Sequence, residues 1–240
     1  VRRATFALPL EALARLGIGG EVGGGVAALV ETASGTSDAA ALARFADLAA
    51  TLGDPAETGG IRVIFSNTVP TLLTAGVAHG LARVAGTAAL IDLAHESSSL
   101  DPLFEAGEPI AVAAGAEAET WERVDAAGLR LERPLDPVVA GDPAPVVGLA
   151  DVFARLRAEG RAGIVHLGRM PTAALLFDCA AEADHVAVVV EETDLTGRRV
   201  ADEIEVMKEL MPHFDGVVVL THAGEEARRP LPVAPLRSAV

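Results

Sequence analysis

The feature that most limits the fold is an alternation that begins at Ile61. Short β-branched runs at 61–65, 88–92, 163–167, 185–191 and 216–221 are separated by helix-period segments at 71–84, 149–159, 172–183 and 197–211. Strands covered on both faces read as continuous apolar runs, and an intervening helix carries the chain back across the sheet to the next parallel strand. The pattern predicts an α/β domain with a parallel sheet flanked by helices. One interval, 101–147, breaks the rhythm. Its Pro134, Pro137, Pro143 and Pro145 predict an irregular excursion with at most one short strand, near 110–113.

The first 60 residues read differently from the rest. A short amphipathic run at 8–16 is followed by a link containing Gly17, Gly19, Gly20, Gly23, Gly24 and Gly25, then by a helix at 37–52 with Ala41, Phe45 and Leu48 on one side. A dinucleotide loop would need a preceding strand and a sixth-position glycine, where Val22 stands in the frame from Gly17. The link reads as a flexible connector. The expected organisation is an extension over 1–36, an α/β domain over 37–226 and a proline-rich tail over 227–240.

Charge narrows the partners. With 34 acidic and 19 basic residues the formal net charge is −15, which opposes binding to nucleic acid or to an anionic membrane surface. The single cysteine, Cys179, excludes an intrachain disulfide and a cysteine-rich zinc site. Apolar stretches are interrupted well before the roughly 18 to 20 residues that span a bilayer. Glu11 and Arg15 likewise interrupt any signal-like run. These readings predict a cytoplasmic protein without direct membrane insertion.

Four stretches carry a resemblance: IRVIFSNTVPTLLTAGVAHGLA at 61–82, ALID at 89–92, AGIVHLGRMP at 162–171 and GVVVLTHAG at 216–224. In order and spacing they resemble the first strand, phosphate loop and helix, second strand, second acidic motif and last strand of a known family. That family is the capsular and exopolysaccharide branch of bacterial tyrosine kinases, within the MinD/ParA-type P-loop proteins. The likeness runs over 39–224, about three quarters of the chain. It implies a P-loop NTPase-like fold and a place in exopolysaccharide or capsule biosynthesis and export.

The departures from that family bear on activity. A P-loop holds phosphates with glycine-permitted backbone N–H groups, a lysine on the terminal phosphates and a Ser/Thr on magnesium. Here Thr71, Leu72, Leu73, Thr74 and Ala75 fall where the resemblance places the Gly-x-Gly-Lys-Ser/Thr run, and the chain's one lysine is the remote Lys208. His166 falls near the second acidic position, so Asp92 alone remains of the acidic pair. There is no tyrosine to receive a phosphoryl group. The family's ring-packing motif keeps Arg44 but lacks the preceding glutamate, which disfavours a family-like ring and leaves another homo-oligomer open.

Residues that could still carry chemistry form a relic pocket at the carboxyl edge of the sheet: Thr68, Thr71, Thr74, Asp92, His95 and His166. His95, His166 and Asp92 have the donor types of a metal or hydrolytic site, without a diagnostic spacing. His79, His185 and His213 read as structural or surface residues, and Cys179 as a buried small side chain. Ser97, Ser98 and Ser99 read as a polar turn without a nucleophile elbow, and 191–194 as a solvated acidic run.

The expectation is therefore a catalytically inactive, tyrosine-kinase-like regulatory or scaffold subunit with no cofactor, no metal and no catalytic residue. Its partner by resemblance is the cytoplasmic end of a membrane polysaccharide co-polymerase, or an active kinase paralogue, through which it would associate with the membrane. The alternatives are a metal-dependent or hydrolytic enzyme reusing the pocket, and a MinD/ParA-like adaptor of a positioning or secretion system.

Overall fold

In the computed structural model, the described residues are 2–6, 38–53, 59–69, 71–95, 100, 104, 107–113, 119–126, 129–136, 138, 145–191, 198–211 and 213–220. The elements in chain order are β1 (Arg2–Phe6), α1 (Asp38–Leu52), β2 (Ile61–Ser66), α2 (Thr71–Ala85), β3 (Ala89–Asp92), β4 (Ile110–Ala113), β5 (Glu119–Ala126), β6 (Leu129–Pro134), α3 (Leu149–Ala158), β7 (Gly163–Arg169), α4 (Ala173–Glu182), β8 (His185–Glu191), α5 (Arg198–Leu210) and β9 (Phe214–Leu220). They build one nine-stranded sheet in the order β1-β9-β8-β2-β7-β3-β6-β5-β4. It is parallel from β1 through β6, and antiparallel where β6 pairs with β5 and β5 with β4.

Strand alternation sorts the core into two layers. Ile64, Leu90, Ile164, Val189 and Val218 pack with α1 and α2 on one face, whereas Ile61, Val63, Phe65, Ile91, Val165 and Val219 pack with α3, α4 and α5 on the other. All six residues of β2 are buried, as a strand covered on both sides requires. Helix α3 shows how a sequence stripe becomes packing: Leu149, Val152, Phe153 and Leu156 recur at helical spacing and are all buried. Burial of each such side chain contributes about 1.5–3 kcal/mol. Between α1 and α2 the approach is close. A Cβ on Gly80 would stand 2.2 Å from the Phe45 ring, so glycine lets the ring lie against the α2 backbone.

Two parts of the fold depart from the sequence expectation. Residues 2–6 are an edge strand of the same sheet, so the α/β domain takes in a segment expected in a separate extension. The amphipathic run at 8–16, the glycine link and the tail lie outside the described residues. The described residues of the interval 101–147 hold three strands rather than one, because β5 and β6 form a hairpin that β4 extends. Across that hairpin Val124 faces Leu131 on the buried side, and Glu122 faces Arg133 and Asp125 faces Arg130. Pro134 fits because it is the last residue of β6.

Candidate functional site

The topology prepares a crevice at the carboxyl edge. Adjacent strands β2 and β7 send their following helices, α2 and α4, to opposite faces of the sheet, the arrangement that opens a ligand site in parallel α/β folds. The turn leaving β2 closes on itself. The buried Ser66 hydroxyl donates to the Val189 carbonyl at 2.6 Å, and its oxygen accepts from the Thr68 and Val69 N–H groups at 3.1 and 2.8 Å. Two backbone donors of this turn are thus spent on the chain's own side chain. From the β7 side, Met170 N–H donates to the Ser66 carbonyl at 2.7 Å. Gly168 holds φ +69° there, and a Cβ would stand 2.9 Å from Ala94.

Behind this turn lies a buried chain of polar groups. His166 is in register with Asp92 of β3 on one side and Ile64 of β2 on the other. Its Nδ1 is 3.0 Å from Asp92 Oδ1, and its Nε2 is 3.0 Å from Thr74 Oγ1 in the first turns of α2. The Thr74 hydroxyl donates to the Thr71 carbonyl at 2.8 Å, and Asp92 Oδ1 also accepts from Ala94 N–H at 3.3 Å. Thr74 and His166 have no exposed surface and Asp92 only 5%. A hydroxyl, an imidazole and a carboxylate in line resemble the relay of an acyl-transfer enzyme. A nucleophile must meet its substrate, however, and Thr74 presents no surface to one.

The expected pocket residues therefore separate. Thr74, His166 and Asp92 come together; Thr71 contributes its carbonyl, and Thr68 sits exposed on the turn with its N–H held by Ser66. His95 is half-buried beyond β3 and forms no hydrogen bond or ion pair with them among the described residues. Among the described residues no group of three His, Cys, Asp or Glu side chains could hold a metal ion, so the expected metal candidate of His95, His166 and Asp92 is not assembled. Ser97, Ser98 and Ser99 lie outside the described residues. Ser66 went unrecognised in the sequence. Its only signal was a hydroxyl residue at a strand exit, two and three residues before backbone donors.

Other buried ionisable groups include His79, Cys179 and Arg62. His79 on α2 has no exposed surface and neither ring nitrogen has a partner among the described residues. Burial, assisted by Arg83 one turn on, lowers its pKa from 6.5 to about 4. Cys179 is buried in α4, and burial with the nearby Asp178 pushes its thiol pKa well up, which makes it inert. At the opposite edge of the sheet the fully buried Arg62 donates to the carbonyls of Leu52 and Gly53 at 3.0 and 2.7 Å and pairs with Asp215 at 3.3 Å. Asp215 also meets His185 Nδ1 at 2.7 Å. This cluster fastens the end of α1 to β2 and β9.

No known family profile matches the chain, and no curated protein matches it. Among solved structures it is similar to the crystal structure of the VpsO kinase domain, with a TM-score of 0.52 and 15% identity over 76% of this chain and 96% of that one. The likeness establishes the fold: a P-loop NTPase-like α/β architecture whose mostly parallel sheet is flanked by helices. No helix among the described residues is long and apolar enough to cross a membrane.

Proposed function

We propose that this chain is a catalytically inactive relative of kinase-like P-loop proteins, acting as a regulatory or scaffold subunit in exopolysaccharide or capsule synthesis and export. The observation that carries the reading is the buried Thr74–His166–Asp92 chain. In the resembling family, a Ser/Thr hydroxyl and acidic oxygens surround magnesium. Here the imidazole spans a hydroxyl and a carboxylate at those positions, and a ring nitrogen is a poor replacement for the oxygen donors that magnesium demands. The residues do not fit the metal. The contact of Thr74 with His166 also favours a one-residue change of register, with Thr74 in the Ser/Thr place and Leu73 in the lysine place.

The phosphate side points the same way. Ser66 occupies two N–H groups of the turn, and neither the turn nor α2 carries a lysine to balance a transferring phosphoryl group. The partner in this reading is the cytoplasmic end of a membrane polysaccharide co-polymerase or an active kinase paralogue, which would bring the chain to the inner face of the membrane. The test is a Leu73→Lys variant. It should hydrolyse no ATP, because the closed turn and the imidazole bridge remain; hydrolysis by that single change would sink the reading.

A further inference from the structure

Arg130 and Glu132 stand two residues apart on β6 and meet Arg155 and Glu159 at the end of α3. Glu132 is fully buried and takes Arg155 in a paired bond at 3.1 and 2.5 Å. Glu159, which closes α3, is the common target of three guanidiniums: Arg130 Nη1 at 2.5 Å, Arg155 Nη1 at 3.6 Å and Arg161 Nε at 3.6 Å. Only the first of these is a hydrogen bond, since 3.6 Å is too long for one. The Nε–H groups of Arg130 and Arg161 are buried with no acceptor among the described residues. The carboxylate thus neutralises the cluster without satisfying its donors, and each unmet buried donor costs free energy.

We propose that Arg130, Arg155 and Arg161 form an oxyanion site for the phosphate group of a small phosphate monoester, with Glu159 as the internal stand-in that leaves when the ligand binds. The Glu159 side chain is 36% exposed, so it has solvent to turn into. Charge selects the ligand class. Arg155 is balanced by Glu132. Besides Glu159, Arg130 has only Asp125, 4.0 Å away and 61% exposed, and Arg161 has the Thr87 carbonyl at 2.6 Å. Two cations without a second close carboxylate match the dianion of a phosphate monoester better than a further single carboxylate. Shape agrees, because the three free oxygens of a monoester point in three directions, whereas the two of a carboxylate lie in one plane. The site is remote from the Thr74–His166–Asp92 chain and independent of the inactive-site reading: Arg130 is in register with Ala89, the first residue of β3, and Asp92 is the last.

The probes are inorganic phosphate and glycerol phosphate, titrated against the full chain and followed by phosphorus NMR line width. The titrations run near pH ~8, where both probes are dianions, in about 150 mM sodium chloride without magnesium or nucleotide. The parent chain should bind both saturably. Glu159→Gln removes the competing charge and keeps an amide oxygen for Arg130, and should tighten binding by about fivefold or more. Arg130→Gln and Arg161→Gln should each weaken it by about tenfold or more. Arg157→Gln, which removes a guanidinium of the same helix that pairs with Asp184, should leave binding unchanged. Urea midpoints read from Trp121 show that each variant is folded, and Glu159→Gln, a change at an exposed side chain, reports even where an arginine variant fails to fold. No saturable binding by the parent, equal affinity in the parent and Glu159→Gln, or a loss in Arg157→Gln as large as in Arg130→Gln would overturn the proposal. Binding indifferent to Arg130→Gln would place the phosphate elsewhere on the chain and overturn it too.

Discussion

Replacing His79 by leucine should abolish a specific part of the protein's acid sensitivity. The native state holds this imidazole neutral, with its pKa lowered from 6.5 to about 4 by burial and then by Arg83. The unfolded chain therefore binds a proton that the native chain refuses, and stability falls as pH drops from about 6.5 towards 4. A difference of about 2.5 units at about 1.36 kcal/mol each makes the full loss about 3 kcal/mol, of which about 2 kcal/mol has gone near pH 5. Leucine removes the titration. It also removes two buried ring nitrogens that lack partners among the described residues, so it should be neutral or slightly stabilising near neutral pH. The single tryptophan, Trp121, is fully buried and reports unfolding in urea. With a slope near 2 kcal/mol per molar, the variant should exceed the parent near pH 5 by roughly 1 M in midpoint, and match it or lead slightly near neutrality. The same midpoint difference at both pH values would refute the reasoning, since it would mean that His79 keeps a solvated or partnered ring.

Other substitutions test the packing and the polar chain. Arg62→Ala leaves the Leu52 and Gly53 carbonyls and Asp215 without the guanidinium, and should lower stability by about 3 kcal/mol, read as a drop of roughly 9 °C in Tm. Gly80→Ala should cost about 1–3 kcal/mol by driving a methyl group into the Phe45 ring, and Phe45→Leu in the same chain should recover part of that loss. Thr74→Val and Asp92→Leu each remove one end of the His166 bridge. Their effects should fail to add by at least about 0.5 kcal/mol, because both act through one imidazole; strict additivity in a double-mutant cycle would mean that the ring is not a bridge.

Where burial follows from local pattern, the sequence was informative. The β-branched runs that became β2, β7, β8 and β9 are apolar on both faces, and the helices between them carry stripes such as Leu149, Val152, Phe153 and Leu156. The β5–β6 hairpin was not legible, because Trp121, Val124, Leu129 and Leu131 are too sparse among charges to make a run. Their pairing, Val124 with Leu131 on the buried side and Glu122 with Arg133 and Asp125 with Arg130 beside it, is visible only once the turn is placed. Strand β1 opens with two arginines, which suit a sheet edge yet mask the strand in a hydropathy reading. At the site, Thr74, Asp92 and His166 were recognisable from their positions at strand and helix ends. Their hydrogen bonds and the closure by Ser66 depend on register across β2, β3 and β7, which no local pattern encodes.

On the proposed reading, the chain's own side chains fill the place where the resembling family holds nucleotide and metal. Calorimetric titration of the whole chain with ATP, with and without magnesium, tests it most directly. No saturable heat is expected in either titration at concentrations up to about 1 mM, the range of weak ligand binding. Tight binding that appears only with magnesium would contradict it, because that would require Ser66, Thr74 and His166 to give up the hydrogen bonds that close the site.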